Sequence, residues 1–195
     1  VQLYEVLIAM SFQNQFTKIT TDANLMETVH HGSTEYPFRY YYENIALFDF
    51  KCIDWHWHSE LEFIYIESGN VVFDIGTVHF ELNEGNGIMI NSKILHRLQS
   101  SSDAIIPNFL FQPSFIAPQD SLIYKKYINP VISSSLEYLV FQPDIPWQKK
   151  ALEIIKTIIA VQETEFNREI IVSMSVQQLW ILLLENLTFD QFENM

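Results

Sequence analysis

His56-Trp57-His58-Ser59-Glu60-Leu61-Glu62, with Gly69 following, is the stretch on which the reading of this chain turns. Alternate side chains of an extended strand share a face, so His56, His58 and Glu62 can point the same way. Two imidazoles and a carboxylate converging like that suit a divalent metal, or a polar ligand held by hydrogen bonds. Downstream, Gly85 opens a run ending in Ile94-Leu95-His96-Arg97, which offers a fourth ligand-type side chain. Three imidazoles and one carboxylate leave coordination positions open on a transition metal such as Zn, Fe, Mn or Ni. The competing expectation is a polar pocket in which His56, His58, Glu62 and His96 bond one another, water or an organic ligand.

Around this stretch the chain is written in short apolar runs. Phe38 to Phe50 is rich in Phe and Tyr, which favours strands. Leu61 to Glu67, Val71 to Ile75, Val78 to Leu82, Ile88 to Asn91 and Ile105 to Gln112 follow, separated by Gly- and Asn-containing turns. Short strands at regular spacing predict an antiparallel sandwich or small barrel. The period changes after residue 119. Asp120 is placed to cap a short helix through Tyr127, stopped at Asn129-Pro130. Asp144 or Pro146 begins a longer helix with Leu152, Ile155, Ile158 and Ile159 at helical spacing, and Asn167 caps another that carries Leu179, Leu182 and Leu183. So apolar a helical hairpin needs a partner surface, on the barrel, on another protomer, or on both. Strands first and helices second is an α+β arrangement.

Composition bounds the function. The 195 residues carry 11 basic against 24 acidic side chains, a net charge of −13, and the adjacent basic pairs are Lys125-Lys126 and Lys149-Lys150. Phosphate neutralisation needs clustered Lys and Arg, so this stretch of chain is not expected to bind DNA itself. A lone cysteine, Cys52, leaves no internal disulfide and fits a reducing, cytoplasmic setting. The apolar windows Ile154 to Val161 and Leu179 to Leu184 are too short to span a bilayer, and Val6 to Met10 lacks the flanks of a signal peptide. No phosphate loop, nucleophile elbow or Ser-His-Asp order is present, so no catalytic residue is named.

Other candidates are weaker. Glu60 shares the parity of Glu62, but a bend at Ser59 is expected to turn it to solvent. His30-His31-Gly32 is read as a loop or arm, His79 as a strand residue, and Trp55 and Trp57 as packing on the strand face opposite the histidines. Arg39, Tyr40 and Tyr42 are candidate pocket walls, since aromatics with a lone Arg suit a sugar or a carboxylate.

The spacing His-x-His-x3-Glu-x6-Gly, then Gly-x10-His, resembles the two motifs of the cupin superfamily, whose fold is an antiparallel barrel, the double-stranded β-helix. Four positions depart from it. Phe50 stands where the first motif has glycine, and Asn91, Lys93 and Ser100 stand where the second has proline, glycine and asparagine. These changes fall on turns, not on ligands. The likeness extends to His31-Gly32-Ser33-Thr34-Glu35-Tyr36-Pro37-Phe38, to Ser121 through Tyr127 and to Ile145-Pro146-Trp147-Gln148. In that order they are similar to the N-terminal sensor region of AraC-type transcriptional regulators.

That resemblance implies an arm (residues 1–37), a cupin-like effector-binding barrel (38–118) and a helical dimerisation region (119–195). It implies a small-molecule effector, such as a sugar or small acid, in a pocket made by His56, His58, Glu62 and His96 with Arg39, Tyr40 and Tyr42. A homodimer would form through the C-terminal helices, and DNA would be reached only through a helix-turn-helix domain that this stretch of chain does not contain. The alternative is a metal-dependent cupin enzyme, a dioxygenase or isomerase, with the same four ligands as its active site. The long Leu-rich hairpin separates the two, because a dimerising sensor needs it and a small cupin enzyme does not.

Overall fold

A computed structural model describes residues 18–164 and 166–187. The apolar patch Val6 to Met10 and the last residues of the expected helical region lie outside the described residues. Among the described residues eight strands fall before residue 112: β1 (Phe38–Asn44), β2 (Cys52–His56), β3 (Leu61–Tyr65), β4 (Asn70–Ile75), β5 (Val78–Asn83), β6 (Gly87–Ile90), β7 (His96–Gln99) and β8 (Ile105–Phe111). A ninth, β9 (Tyr138–Phe141), comes after a π-helical turn (Tyr124–Ile128) and the short helix α1 (Asn129–Ile132). Helices α2 (Pro146–Ala160) and α3 (Arg168–Asn186) close the chain. The strands form two antiparallel sheets, β1-β8-β3-β6-β9 and β2-β7-β4-β5.

The two sheets enclose one core and the helices build another. Ile53, Ile64, Phe73, Ile88, Leu98 and Ile106 fill the space between the sheets. The opposite face of the five-stranded sheet presents Leu61, Phe63, Met89, Phe109 and Phe141 to Leu152, Ile155, Val176, Leu179 and Leu183 of the hairpin. Phe63 stacks on Phe109 (centroids 5.3 Å apart) and Phe111 (5.8 Å), an aromatic ladder running across β3 and β8. Each fully buried Phe of this kind is worth about 2–3 kcal/mol. Because both faces of β3 are covered, Leu61-Glu62-Phe63-Ile64 are all buried and no polar alternation marks the strand. Gly87 lets the hairpin close in, since a Cβ there would stand 2.9 Å from a Leu152 methyl and 3.1 Å from the Ile64 carbonyl.

Three local expectations are corrected. Strand β9 was not expected among the helices; it adds an edge to the five-stranded sheet by pairing with β6, Leu139 opposite Met89. Pro130 does not stop the helix before it. Pro130 cannot donate to the carbonyl one turn back, but the Asn129 N–H reaches the Tyr124 carbonyl in an i→i+5 bond, and the coil runs on to Ile132. Its cap is the Ser121 hydroxyl, which accepts from the Tyr124 N–H, not Asp120.

The departures from the cupin motif are explained by the backbone. Phe50 (φ 57) and Lys93 (φ 64) both lie in the left-handed region, at the two positions where the motif has glycine. Phe50 is 99% exposed and Lys93 is also exposed, so neither side chain packs in a way that offsets the strain. A left-handed non-glycine residue costs roughly 1–2 kcal/mol, against up to about 1 kcal/mol of extra unfolded-state entropy for glycine. Phe50→Gly and Lys93→Gly are each expected to stabilise the fold by about 0.5–1 kcal/mol. Urea unfolding of the two variants checks this, and a loss of stability in both would contradict it.

Candidate functional site

The antiparallel pairing of β2 with β7 sets His56 opposite His96, with ring centroids 4.1 Å apart. A register shift between Ile53 and His56 re-aims the end of β2. The chain then leaves the four-stranded sheet, places His58 at the crossing, and enters β3 with Glu62 facing back between the sheets. The three side chains that the strand spacing put on one face and His96 from the downstream run are brought together, and all are buried, at 3% (His56), 3% (His58), 7% (Glu62) and 0% (His96) exposure.

Hydrogen bonds orient the rings. Each Nδ1 faces a backbone carbonyl: His56 to Asp54 (2.8 Å), His58 to Glu60 (3.2 Å) and His96 to Ile94 (2.9 Å). A carbonyl only accepts, so each Nδ1 carries a hydrogen, and each ring turns its Nε2 to the centre, where a neutral ring presents a lone pair. One ligand nitrogen from each of the three lies within 4.8 Å of the others. His96 Nε2 is enclosed without an aligned hydrogen-bond partner, although Glu62 Oε2 is 3.2 Å away, and the same oxygen is 3.4 Å from His58 Nε2. Lone pairs facing a carboxylate at such distances need a positive charge on or between them, supplied by a proton or a cation. The arrangement therefore fits a divalent metal held by His56, His58 and His96 with Glu62 beside them.

The electrostatics follow from the same packing. Burial pushes His56 well below the ordinary imidazole value, and the neighbouring His96 and His58 add to this while Glu62 opposes it. Burial alone would raise Glu62, but the imidazoles of His58 and His96 beside it outweigh that and hold it well below the usual carboxylate range.

A second wall was not legible in the motif. Tyr41 and Glu43 of β1, Asn108 of β8, and Glu27 and His31 from the segment before β1 line the same cavity, which has a volume of about 80 Å³. A water needs about 10–15 Å³ in this measure, so the space holds several waters or a ligand of a few heavy atoms. Tyr41 lies opposite Asn108 in the β1–β8 register. The Asn108 amide donates to Glu43 (2.7 Å) and to the Ile106 carbonyl (3.2 Å). Burial, with Glu62 adding to it, pushes the Glu43 carboxyl up to about 8 despite that amide. His31 packs edge-on to His58, with its Nδ1 2.9 Å from the Tyr41 hydroxyl and its Nε2 3.2 Å from Glu27. Burial lowers His31, but Glu27 outweighs this and its pKa is raised.

Arg39, Tyr40 and Tyr42 fall elsewhere. Tyr40 and Tyr42 point to the outer face of β1, where they border a separate groove with Arg39, Gln162 and Arg168. Within the aromatic run the inward parity belongs to Tyr41 and Glu43. Glu60 is a second correction: it is buried at 7% exposure, accepting from the Gln112 amide at 2.7 Å, and does not face solvent. His79 is exposed and pairs with Asp74 at 2.6 Å, away from the site. Trp57 is gripped by the preceding segment, its indole donating to the Asn24 carbonyl and its backbone bonding Leu25 and Glu27.

Residues 48–119 match the family model described as the AraC-like ligand binding domain. The chain is 31% identical over 179 residues to an uncharacterised HTH-type transcriptional regulator, YdeC, of Bacillus subtilis (strain 168). The match covers 88% of this chain and 61% of that regulator, so the chain spans under two thirds of its relative's length. Among solved structures, a cupin-2 domain protein from Shewanella frigidimarina NCIMB 400 is similar at 11% identity and TM-score 0.37, covering 54% of this chain and 89% of that one. Bacillus subtilis oxalate decarboxylase, a structure concerned with its Mn(II) centres, is similar at 21% identity and TM-score 0.30, covering 31% of this chain and 18% of that one. The likeness to AraC-type sensor regions carried by the motifs is thus borne out as a likeness, over residues 48–119 by the family model and over most of the chain by the relative.

The buried neutral imidazole of His56 makes stability depend on pH. Its folded pKa lies below the unfolded value of 6.5, so the unfolded chain binds the extra proton first. In metal-free protein the contribution is fully present above about 6.5 and is lost as pH falls below it. Urea midpoints at several pH values from 7.5 downward should fall, and His56→Gln should flatten that fall.

Proposed function

We propose that the AraC-like ligand-binding domain of this chain senses a small molecule in the cavity between its sheets and passes occupancy to a helical dimer interface. In a longer regulator that interface would serve a DNA-binding domain. The observation that carries this reading is the position of the site. Glu62 faces the cavity and Phe63, the next residue, faces the hairpin, so one strand touches both. A divalent transition metal held by His56, His58 and His96 would act as a Lewis acid toward an effector donor atom. The segment before β1 supplies part of the pocket wall, residues 38–118 supply most of the barrel, and the described residues from 119 onward supply the hairpin together with the edge strand β9. A cytoplasmic setting suits the single, half-buried Cys52.

The dimer surface is the outer face of the hairpin. Ile158, Leu179, Trp180 and Leu183, expected to serve it, are at most 3% exposed and are used within the chain, while Ile159, Leu182 and Leu184 are half-buried. Ile170 (60% exposed), Met174 (66%) and Ile181 (57%) instead form a stripe along α3 at helical spacing, with Phe166 (81%) exposed just before the helix. A second copy packing on that stripe would bury it in a two-fold contact.

The same ligand set also serves the alternative, a metal-dependent oxygenase or isomerase. Two measurements separate the readings. Sedimentation should show a dimer at tens of micromolar, which corresponds to an interface of about −6 kcal/mol or tighter, and Met174→Glu should make it monomeric without lowering the melting temperature. Elemental analysis of the protein as purified should show a transition metal that His58→Ala loses. A monomer in both proteins would remove the sensor–dimer reading. Turnover of a substrate, lost in His58→Ala, would favour the enzyme.

A further inference from the structure

The cavity is walled by three carboxyl groups, and they are not equally compensated. Glu62 has the imidazoles of His58 and His96 within 3.4 Å, and Glu27 has that of His31 at 3.2 Å. Among the described residues Glu43 has only the neutral amide of Asn108, 2.7 Å away, as a side-chain partner. Asn108 is itself 2% exposed and divides its amide between Glu43 and the Ile106 carbonyl, so it cannot follow Glu43 elsewhere. Lys18 is the one side chain of fixed positive charge among the described residues lining the cavity, and it is exposed. His31 also stands in this wall, its Nε2 3.2 Å from Glu27. The ring is 6% exposed, and its Nε2 is enclosed without an aligned hydrogen bond. The remaining walls are apolar: Ile53, Leu98, Ile106 and Leu110.

We infer that the pocket is built for a small ammonium compound, its charged head on Glu43 and its short hydrocarbon body against Ile53, Leu98 and Ile106. This rests on the reading of the cavity as the effector site, and it reverses the expectation of an acidic effector. A carboxylate placed here would meet Glu43 and Glu27, with the exposed Lys18 as the one fixed cation among the described lining residues, and a buried charge without a close partner is strongly disfavoured. An ammonium group brings the counter-charge that Glu43 lacks and donors for its second oxygen. The cavity volume of about 80 Å³ limits the ligand to a compact molecule. Any metal would sit on the histidine side and leave Glu43 available.

The test uses three probes of nearly one shape: isobutylammonium, isobutanol and isobutyrate, titrated into the full chain and followed by amide chemical shifts. Isobutylammonium is expected to bind most tightly, shifting resonances around Glu43 and Asn108, with isobutyrate weakest. Glu43→Gln keeps the size of the side chain and removes its charge, and it should weaken the ammonium probe by about tenfold, the usual worth of a charge-assisted hydrogen bond, while leaving isobutanol unchanged. Glu43→Asp should retain part of the preference. Equal or tighter binding of isobutyrate, an ammonium affinity indifferent to Glu43→Gln, or no shift with any probe would each overturn the inference. Sedimentation in parallel keeps this failure distinct from that of the sensor reading. Carboxylate binding that alters the dimer would sink only the ligand class, and ammonium binding to a chain that never dimerises would sink only the sensor.

Discussion

Glu62 and Phe63 are neighbours on β3 and face opposite ways, and the rest of the structure depends on that alternation. Glu62 lies among the imidazoles between the sheets, whereas Phe63 lies in the aromatic ladder beneath the hairpin. A strand cannot move one side chain without moving the next, because the pleat fixes both to one backbone. A shift of register by one residue would bury Phe63 among the histidines and put the Glu62 carboxylate against Leu152 and Ile155. Both outcomes are prohibitive, so two buried faces lock the register from opposite sides. The same lock puts the helices in direct packing contact with the strand that carries the site, since the sheet is packed against both cores.

A second physical connection runs through the loop between β6 and β7. The Lys93 N–H donates to the His58 carbonyl (2.8 Å) and the Ser92 hydroxyl to the Ser59 carbonyl (2.7 Å), which ties the loop to the crossing that carries His58. Asn91 then bonds the other way, its amide donating to the Val131 and Leu136 carbonyls at the end of α1. From there the π-turn offers the Tyr127 carbonyl to the Trp180 indole of α3 at 3.0 Å. Asn91 occupies the place of the motif's proline, which could supply no such side-chain donors. What looks like a loss in the motif is a polar contact between barrel and helices. Contiguity of this kind permits coupling but does not establish it; differential affinity for two arrangements is what coupling requires.

The fold and half of the site could be read in the sequence because they rest on local rules. The His-x-His-x3-Glu spacing singles out His56, His58 and Glu62, although they converge across the passage from β2 to β3 and not on one strand face, and the period change near residue 120 separates most of the strands from the helices. The sequence also names the two backbone turns at Phe50 and Lys93, once a glycine is expected there. What could not be read depends on tertiary pairing. In Arg39-Tyr40-Tyr41-Tyr42-Glu43 both faces are aromatic, so nothing local says which parity faces inward. The β1–β8 register decides it by setting Tyr41 opposite Asn108. A signal was present, since a Glu at the end of an aromatic strand is unusual unless it faces something polar. Glu27 and His31 reach the cavity only because the preceding segment is pinned on Trp57, a contact some thirty residues distant along the chain. Strand β9 escaped because Tyr138-Leu139-Val140-Phe141 is too short to carry a period and follows a helix held open by a π-turn.

The polar groups of the cavity show how this architecture is balanced energetically. A buried carboxylate is tolerable when its lone pairs meet donors, and the two sheets meet that demand differently. On the β2–β7 side three imidazoles, each fixed by a carbonyl at Nδ1, surround Glu62 with groups that take a proton or a cation. On the β1–β8 side one neutral amide faces Glu43, and the carboxyl is pushed up to about 8 instead of being neutralised by a partner. The first wall therefore offers positive charge a preformed centre, and the second keeps unspent hydrogen-bonding capacity. A barrel interior filled only with Ile, Leu and Phe would be more stable than this one, because desolvating these groups is unfavourable without a ligand. Their placement in one small space, walled elsewhere by Ile53, Leu98 and Ile106, makes occupancy of that space the event that relieves the imbalance.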